Sequence, residues 1–292
     1  MNLCSATIVA TLFLALAVPA SAFAQNPAAE APPSGPPKDQ TEAADYANAK
    51  KVADPTRRAE ALEAFVKRYP NSSAKISALE WAVNAYHQAG NGARTLELAR
   101  HVLGEQPESV RAMAAYVQQA RAMGDQGPDD AREFAIQGLP ALAAWQKPWD
   151  LTQDDFLRLQ SEMTGTFTSA IAYYAMIGRD LGTARLYFQQ ALLSDPMSLE
   201  NNYSLGLVDI EMQPIDPVGF WYIARSIHLA KATKNGGDSF IASYARLKYA
   251  QFHGDMQGWD EIVKRAANQT TLPEDFTVPQ NAPPASPDNP QE

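Results

Sequence analysis

Apolar residues recur at steps of three and four along most of this chain, and short breaks interrupt the pattern at regular intervals. This spacing is typical of amphipathic helices, whereas half-buried strands alternate every second residue. The breaks include Asp54-Pro55, Gly90-Asn91-Gly92 and Asp195-Pro196. Asp-Pro favours a helix start, because aspartate caps free N–H groups and proline fits the first turn. The pattern predicts an all-α chain of about twelve helices whose short turns pair them antiparallel.

The breaks also recur with a period in the thirties, which is typical of helical-pair repeats. The clearest unit places small, aromatic and helix-ending residues at Ala184, Phe188, Ala191 and Pro196, and the next helix contains Leu205-Gly206. These positions resemble the tetratricopeptide repeat pattern A-x3-F-x2-A-x4-P, with its Leu-Gly pair in the first helix of a unit. The resemblance implies a helical-repeat solenoid in which small residues let neighbouring helices approach closely.

Weaker copies of the repeat flank this unit, and the resemblance covers roughly residues 41–268. Two positions depart from the family pattern, since Thr95 stands where alanine is usual and Val83 where glycine is usual. The stretch 140–150 interrupts the array. Residues 150–164 are predicted as an additional helix, with Thr152 and Asp155 as a capping box. A generic α-helical repeat or bundle is the alternative fold.

Both ends of the chain differ from this helical body. An apolar run from Ala6 to Val18 is followed by two small-x-small sites, so residues 1–24 are predicted to be a bacterial-type signal peptide cleaved after Ala24, or after Ala22 as second choice. The run is shorter than the roughly 20 residues of a membrane span. No Lys or Arg precedes the run, which leaves an uncleaved N-terminal anchor as the alternative.

Two proline-rich segments border the helices, at 25–40 and 271–292. Both contain few large apolar residues, so we predict a disordered linker and a disordered tail. The predicted repeat domain between them spans residues 41–270.

Composition argues against several functional classes. The net charge of −9 disfavours a nucleic-acid binder, which needs a basic surface. The one cysteine, Cys4, lies in the predicted signal peptide, and the four histidines have no metal-ligand spacing. Gly237-Asp238-Ser239 resembles the nucleophile block of GDSL-type hydrolases, but the one downstream histidine, His253, lacks the family's Asp three residues earlier. We therefore predict no enzyme, no cofactor and no metal, with a serine hydrolase at this block as the alternative.

The family resemblance implies that the first helices of successive pairs line a concave groove. The polar residues that it places there are Glu80, Asn84, His87, Gln88, Arg111, Gln118, Arg121, Glu200 and Tyr203. Their Arg, Asn, Gln and His side chains could hold an acidic segment or a C-terminal carboxylate. The sequence thus predicts a periplasmic or secreted scaffold that binds a protein or peptide, with no integral membrane segment after signal cleavage. A merely solvated polar face and a membrane-tethered structural subunit are the alternatives.

Overall fold

The computed structural model describes residues 35–233 and 237–280. These residues form twelve α-helices and no strand. The helices are α1 Gln40–Lys51, α2 Pro55–Arg68, α3 Lys75–Gln88, α4 Gly92–Glu105, α5 Val110–Ala122, α6 Ala131–Ala144, α7 Gln153–Ile177, α8 Leu181–Ser194, α9 Leu199–Glu211, α10 Gly219–Thr233, α11 Gly237–His253 and α12 Trp259–Asn268. The predicted all-α helical-repeat fold of antiparallel helix pairs is confirmed. The predicted signal peptide lies outside the described residues.

Several helices begin where the sequence supplies a side-chain cap. Asp54 Oδ1 accepts a hydrogen bond from the backbone N–H of Arg57 at 2.8 Å, and Pro55 occupies the first position of α2. Thr152 Oγ1 accepts from the N–H of Asp155 at 3.1 Å at the start of α7. Each cap satisfies one N–H that has no partner within the helix. The turn signals therefore fix the helix starts, and short connections make successive helices antiparallel.

The clearest repeat unit packs as its residue pattern predicts. Ala184, Phe188 and Ala191 of α8 are fully buried, while Gln189 and Gln190 are exposed. In α9, Gly206 lies so close to α10 that a Cβ at its position would be 2.8 Å from the carbonyl oxygen of Gly219. Small residues thus mark the points where helices touch, as the repeat pattern requires.

Helix α7 differs from the sequence-based prediction. An additional helix over 150–164 was expected before the helix of the next repeat, yet residues 153–177 form one continuous helix. Nothing between the two parts stops a helix, because Gly165 lowers helix propensity but has no positive φ. At about 1.5 Å per residue, α7 is roughly 37 Å long, against about 21 Å for a 14-residue helix such as α8.

The packed body extends past the predicted boundary at residue 270. Leu272, Phe276 and Val278 pack against the cluster around α10, and the rings of Trp221 and Phe276 have centroids 5.5 Å apart. Val278 is buried. The three apolar side chains account for this packing. The high proline content of the segment had indicated a disordered tail instead. Residues 281–292 of the predicted tail and 25–34 of the predicted linker lie outside the described residues.

A partly buried ion cluster joins α8 to α9 and the turn that follows. Arg185 Nη2 pairs with Asp216 Oδ2, and Arg185 Nε lies 2.9 Å from Asp209 Oδ1, outside hydrogen-bonding geometry. Burial raises the pKa of Asp209 to about 7, although the charge of Arg185 lowers it and that of Asp216 adds to the rise. Asp209 is fully buried, so its charged form is costly in this position.

Candidate functional site

The first helices of four successive pairs, α3, α5, α7 and α9, lie side by side and form one face of the solenoid, here called the inner face. A cleft of about 740 Å³, the inner cleft, opens on this face. Its lining is His87, Gln118, Arg121, Ala122, Ser161, Glu162, Gly165, Thr166, Ser169, Ala191, Ser194, Asp195, Ser198, Glu200 and Asn201. Most of these side chains are small or polar, which suits hydrogen bonding to a ligand more than burial of a large apolar group.

An ion pair crosses the inner cleft. Arg121 of α5 binds Glu200 of α9 through its Nη2 atom, and its guanidinium carbon lies 5.4 Å from the centroid of the Tyr173 ring. The Arg121 side chain is largely buried, and its Nε atom has no hydrogen-bond partner among the described residues. A planar guanidinium held on an aromatic ring is oriented in advance for further hydrogen bonds.

Two more buried polar atoms of the inner cleft lack a hydrogen-bond partner within the described part of the chain. They are Oδ1 of Asn201, a residue only 5% exposed, and Nδ1 of His87. Leaving a buried polar atom without a partner costs about 1–3 kcal/mol. Such atoms are accordingly uncommon in folded proteins and call for an explanation. Arg121 Nε is a third such atom, and all three are covered by neighbouring protein atoms.

A smaller hollow of about 80 Å³ continues the inner face toward the N-terminal helices. It shares Gln118, Glu162 and Thr166 with the inner cleft, and its remaining lining is Glu80, Trp81, Asn84, Arg111, Ala114, Ala115, Leu159 and Met163. Glu80 accepts hydrogen bonds from Ser109 Oγ and Arg111 Nη2. The charge of Arg111 is therefore already balanced within the protein.

The structure brings seven of the nine predicted groove residues to these two spaces. His87, Gln118, Arg121 and Glu200 line the inner cleft, and Glu80, Asn84 and Arg111 line the smaller hollow.

The other two predicted residues lie apart. Gln88 is exposed and hydrogen-bonds to Arg58 and Asn84. Tyr203 is half-buried and packs against the α10 cluster.

Sequence reasoning missed the residues that α7, α8 and the loop before α7 contribute. Asp195 follows the last residue of α8 and Asn201 lies in the first turn of α9. Both helix ends are predictable from the sequence, but nothing in the repeat pattern marks these two residues as part of a cleft. The α6–α7 loop, residues 145–152, crosses to the inner face and places Asp150 against Tyr46, Lys50 and Trp81. Its two tryptophans within five residues of each other are the one sequence signal that could have indicated a packed loop.

The alternative hydrolase site does not assemble. Ser239 lies in the first turn of α11 and His253 is its last residue. Fourteen residues along one helix separate their backbones by about 21 Å, far beyond hydrogen-bonding distance. His253 instead stacks on Tyr249, with ring centroids 5.2 Å apart, and its Nδ1 lies 2.9 Å from Asp255 Oδ1. His253 therefore cannot act as the base for Ser239.

The described residues contain neither a metal-ligand cluster nor a helix suited to cross a membrane. No three or more His, Cys, Asp or Glu side chains in that part of the chain converge as metal ligands do. None of its helices combines the length and apolar character that crossing a membrane requires.

Comparison with known proteins gives a structural neighbour but no related sequence family. No protein-family model matches the sequence, and no curated protein is significantly similar to it. Among solved structures, the chain is similar to a thermophilic TPR protein of Thermus thermophilus, with 16% sequence identity and a TM-score of 0.37 over 71% of this chain and 98% of that chain. The assignment of a helical-repeat fold rests on the helix pairing described above.

Proposed function

We propose that this protein is an exported, non-catalytic helical-repeat scaffold that binds an extended segment of another protein or peptide in the inner cleft. The observation that carries this proposal is the inner cleft itself, about 740 Å³ in volume and lined mostly by small and polar side chains of α3, α5, α7, α8 and α9. An extended backbone presents N–H donors and C=O acceptors in alternation, so it can hydrogen-bond to the hydroxyl, amide and carboxylate groups of this lining.

The charges of the cleft favour a neutral or basic segment over an acidic one. Arg121 is paired with Glu200 and Glu162 with Arg158, so Asp195 is the carboxylate of the lining that has no ion-pair partner among the described residues. The acidic ligand expected from the sequence would meet this excess of negative charge. A lysine or arginine side chain beside Asp195 instead gains a favourable interaction and faster association at low salt.

Export is supported by the sequence of the first 24 residues. The short apolar core, Pro19 and the small-x-small sites before Gln25 are typical of a cleaved signal peptide, which directs the protein to the periplasm or the medium. Mass spectrometry of the exported protein tests this proposal, and we expect an N-terminus at Gln25, or at Phe23 as second choice. An intact Met1 on the exported protein would favour a membrane-tethered subunit.

Partner capture from the native cell envelope tests the binding site. Three immobilised proteins are compared: wild type, Gln118→Leu, which changes an exposed residue of the cleft lining, and the matched control Gln190→Leu, which changes an exposed residue outside the cleft. We expect the same partner with wild type and control, and about a tenfold loss of affinity with Gln118→Leu, because one lost hydrogen bond of about 1.4 kcal/mol corresponds to a factor of ten. Equal capture by all three proteins would contradict the proposal.

A further inference from the structure

The Asp150 carboxylate is held like a bound ligand on the inner face. Its Oδ2 atom accepts hydrogen bonds from Trp81 Nε1 at 2.6 Å, from Tyr46 OH at 2.8 Å and from Lys50 Nζ at 3.4 Å. Arg111 Nη2 lies 3.9 Å from its Oδ1 atom. The side chain is only 2% exposed. These three donors and Arg111 belong to α1, α3 and α5, whereas the carboxylate comes from the α6–α7 loop.

The electrostatics of these donors require a carboxylate. Burial by itself would raise the pKa of Asp150, but the charge of Arg111, the hydrogen bonds from Trp81 and Tyr46, and Lys50 together hold it below its ordinary value. Lys50 and Arg111 contribute two positive charges, and Glu80 balances one of them. Without Asp150, one buried cation would remain uncompensated, which is strongly unfavourable in a desolvated site.

Some polar atoms around the carboxylate make no hydrogen bond. Nε and Nη1 of Arg111 and Oδ1 of Asp150 have no hydrogen-bond partner among the described residues. Trp81 and Arg111 also line the smaller hollow, whereas Asp150 does not. The neighbouring Trp149 packs on Tyr46 with ring centroids 5.4 Å apart. The loop therefore fills the site with an aromatic residue followed by an aspartate.

We propose that α1, α3 and α5 form a second binding site for an aromatic–acidic segment, which the chain's own α6–α7 loop occupies in cis through Trp149 and Asp150. A partner segment with an aromatic residue followed by aspartate binds there by displacing the loop. This site lies beyond the inner cleft and uses different residues, so it stands or fails independently of the proposed peptide binding in the cleft.

Loop occupancy sets the affinity of the site for a partner. When only a fraction of the molecules has an open site, the apparent dissociation constant equals the intrinsic value divided by that fraction. Weakening the loop therefore tightens binding of a segment supplied in trans without adding any contact. The loop's own sequence is the best available probe, because the structure shows that it fits.

The experiment uses a fluorescent synthetic peptide of residues 145–152 and a second peptide in which asparagine replaces the aspartate. The proteins are wild type, Asp150→Asn and the control Asp154→Asn, which changes an exposed carboxylate four residues along. We expect Asp150→Asn to bind the aspartate peptide at least about tenfold more tightly than wild type or the control does. The asparagine peptide should bind each of the three proteins more weakly than the aspartate peptide binds Asp150→Asn. Equal affinities for all three proteins would refute loop competition.

Chemical rescue provides a second readout that does not depend on the Asn variant. Asp150→Ala removes the carboxylate and leaves its donors, so sodium acetate can replace it. We expect a saturable rise in the midpoint of thermal unfolding with acetate that equal ionic strengths of sodium chloride do not reproduce. If acetate and chloride have the same effect, Asp150 only stabilises the fold and the site does not recognise carboxylates.

Discussion

Gly206 offers the sharpest test of the repeat packing. It lies inside α9, where a Cβ would be 2.4 Å from Ile223 Cγ1, 2.8 Å from Gly219 O and 2.9 Å from Ile223 N. Two of these atoms belong to the backbone of the α9–α10 pair, so the Gly206→Ala variant can be accommodated only if the helices separate. Overpacking of this kind costs about 1–3 kcal/mol.

The same substitution has an opposite effect on helix propensity. Alanine is favoured over glycine in a helix interior by about 1 kcal/mol, which offsets part of the clash. The upper part of the overpacking range applies because backbone atoms cannot rotate away, so we expect Gly206→Ala to lose about 1–2 kcal/mol of unfolding free energy. Gly104→Ala is the matched control, since nothing lies within 4 Å of a Cβ there. It should gain up to about 1 kcal/mol.

Urea unfolding followed by circular dichroism measures both variants. The comparison uses midpoints at an unchanged slope, because a changed slope would indicate altered unfolding cooperativity. The two substitutions are chemically identical, so any difference between them comes from their surroundings. If Gly206→Ala is as stable as Gly104→Ala, α9 and α10 do not approach as described.

Enlarging Ala184 or Ala191 to leucine should destabilise the protein by about 1–3 kcal/mol in urea unfolding, because both are fully buried between helices. Leucine at the exposed Gln189 or Gln190 should change stability by less than about 0.5 kcal/mol, and the reverse ranking would show the α8 face to be wrongly assigned. For Asp209, a folded pKa of about 7 means that the native state retains a proton which the unfolded state releases above about pH 4. Wild type should therefore lose stability relative to Asp209→Asn as the pH rises from 4 to 7 in unfolding titrations, and parallel pH profiles for the two proteins would contradict the raised pKa.

The helices were predictable because their signals are local. Caps such as Asp54 and the small–aromatic–small spacing of Ala184, Phe188 and Ala191 act over a few residues, and the structure follows them. The Asp150 site was not predictable in the same way. Trp81 and Tyr46 are 69 and 104 residues away from Asp150 in sequence, and no periodic pattern links residues at such separations.

The predicted groove shows the same contrast between local signals and contacts that are distant in sequence. Helical spacing places His87, Gln118 and Arg121 on one face, but it cannot show that Arg121 is neutralised by Glu200, 79 residues later. The expectation of an acidic ligand came from counting cations on the first helices alone. Partners of those cations come from other helices, so the charge of a cleft follows only from the assembled fold.

The reach of the α6–α7 loop also bears on how the molecule unfolds. In a solenoid each repeat contacts only its neighbours, so stability is approximately a sum of local terms and the ends can fray one repeat at a time. The hydrogen bond from Tyr46 to Asp150 spans 104 residues and connects α1 directly to the α6–α7 loop. Contacts of such high order slow folding, because a long segment must be ordered before they form. Hydrogen exchange should therefore show α1 opening together with α3 and α5 as a single cooperative unit, rather than as a frayed terminal helix.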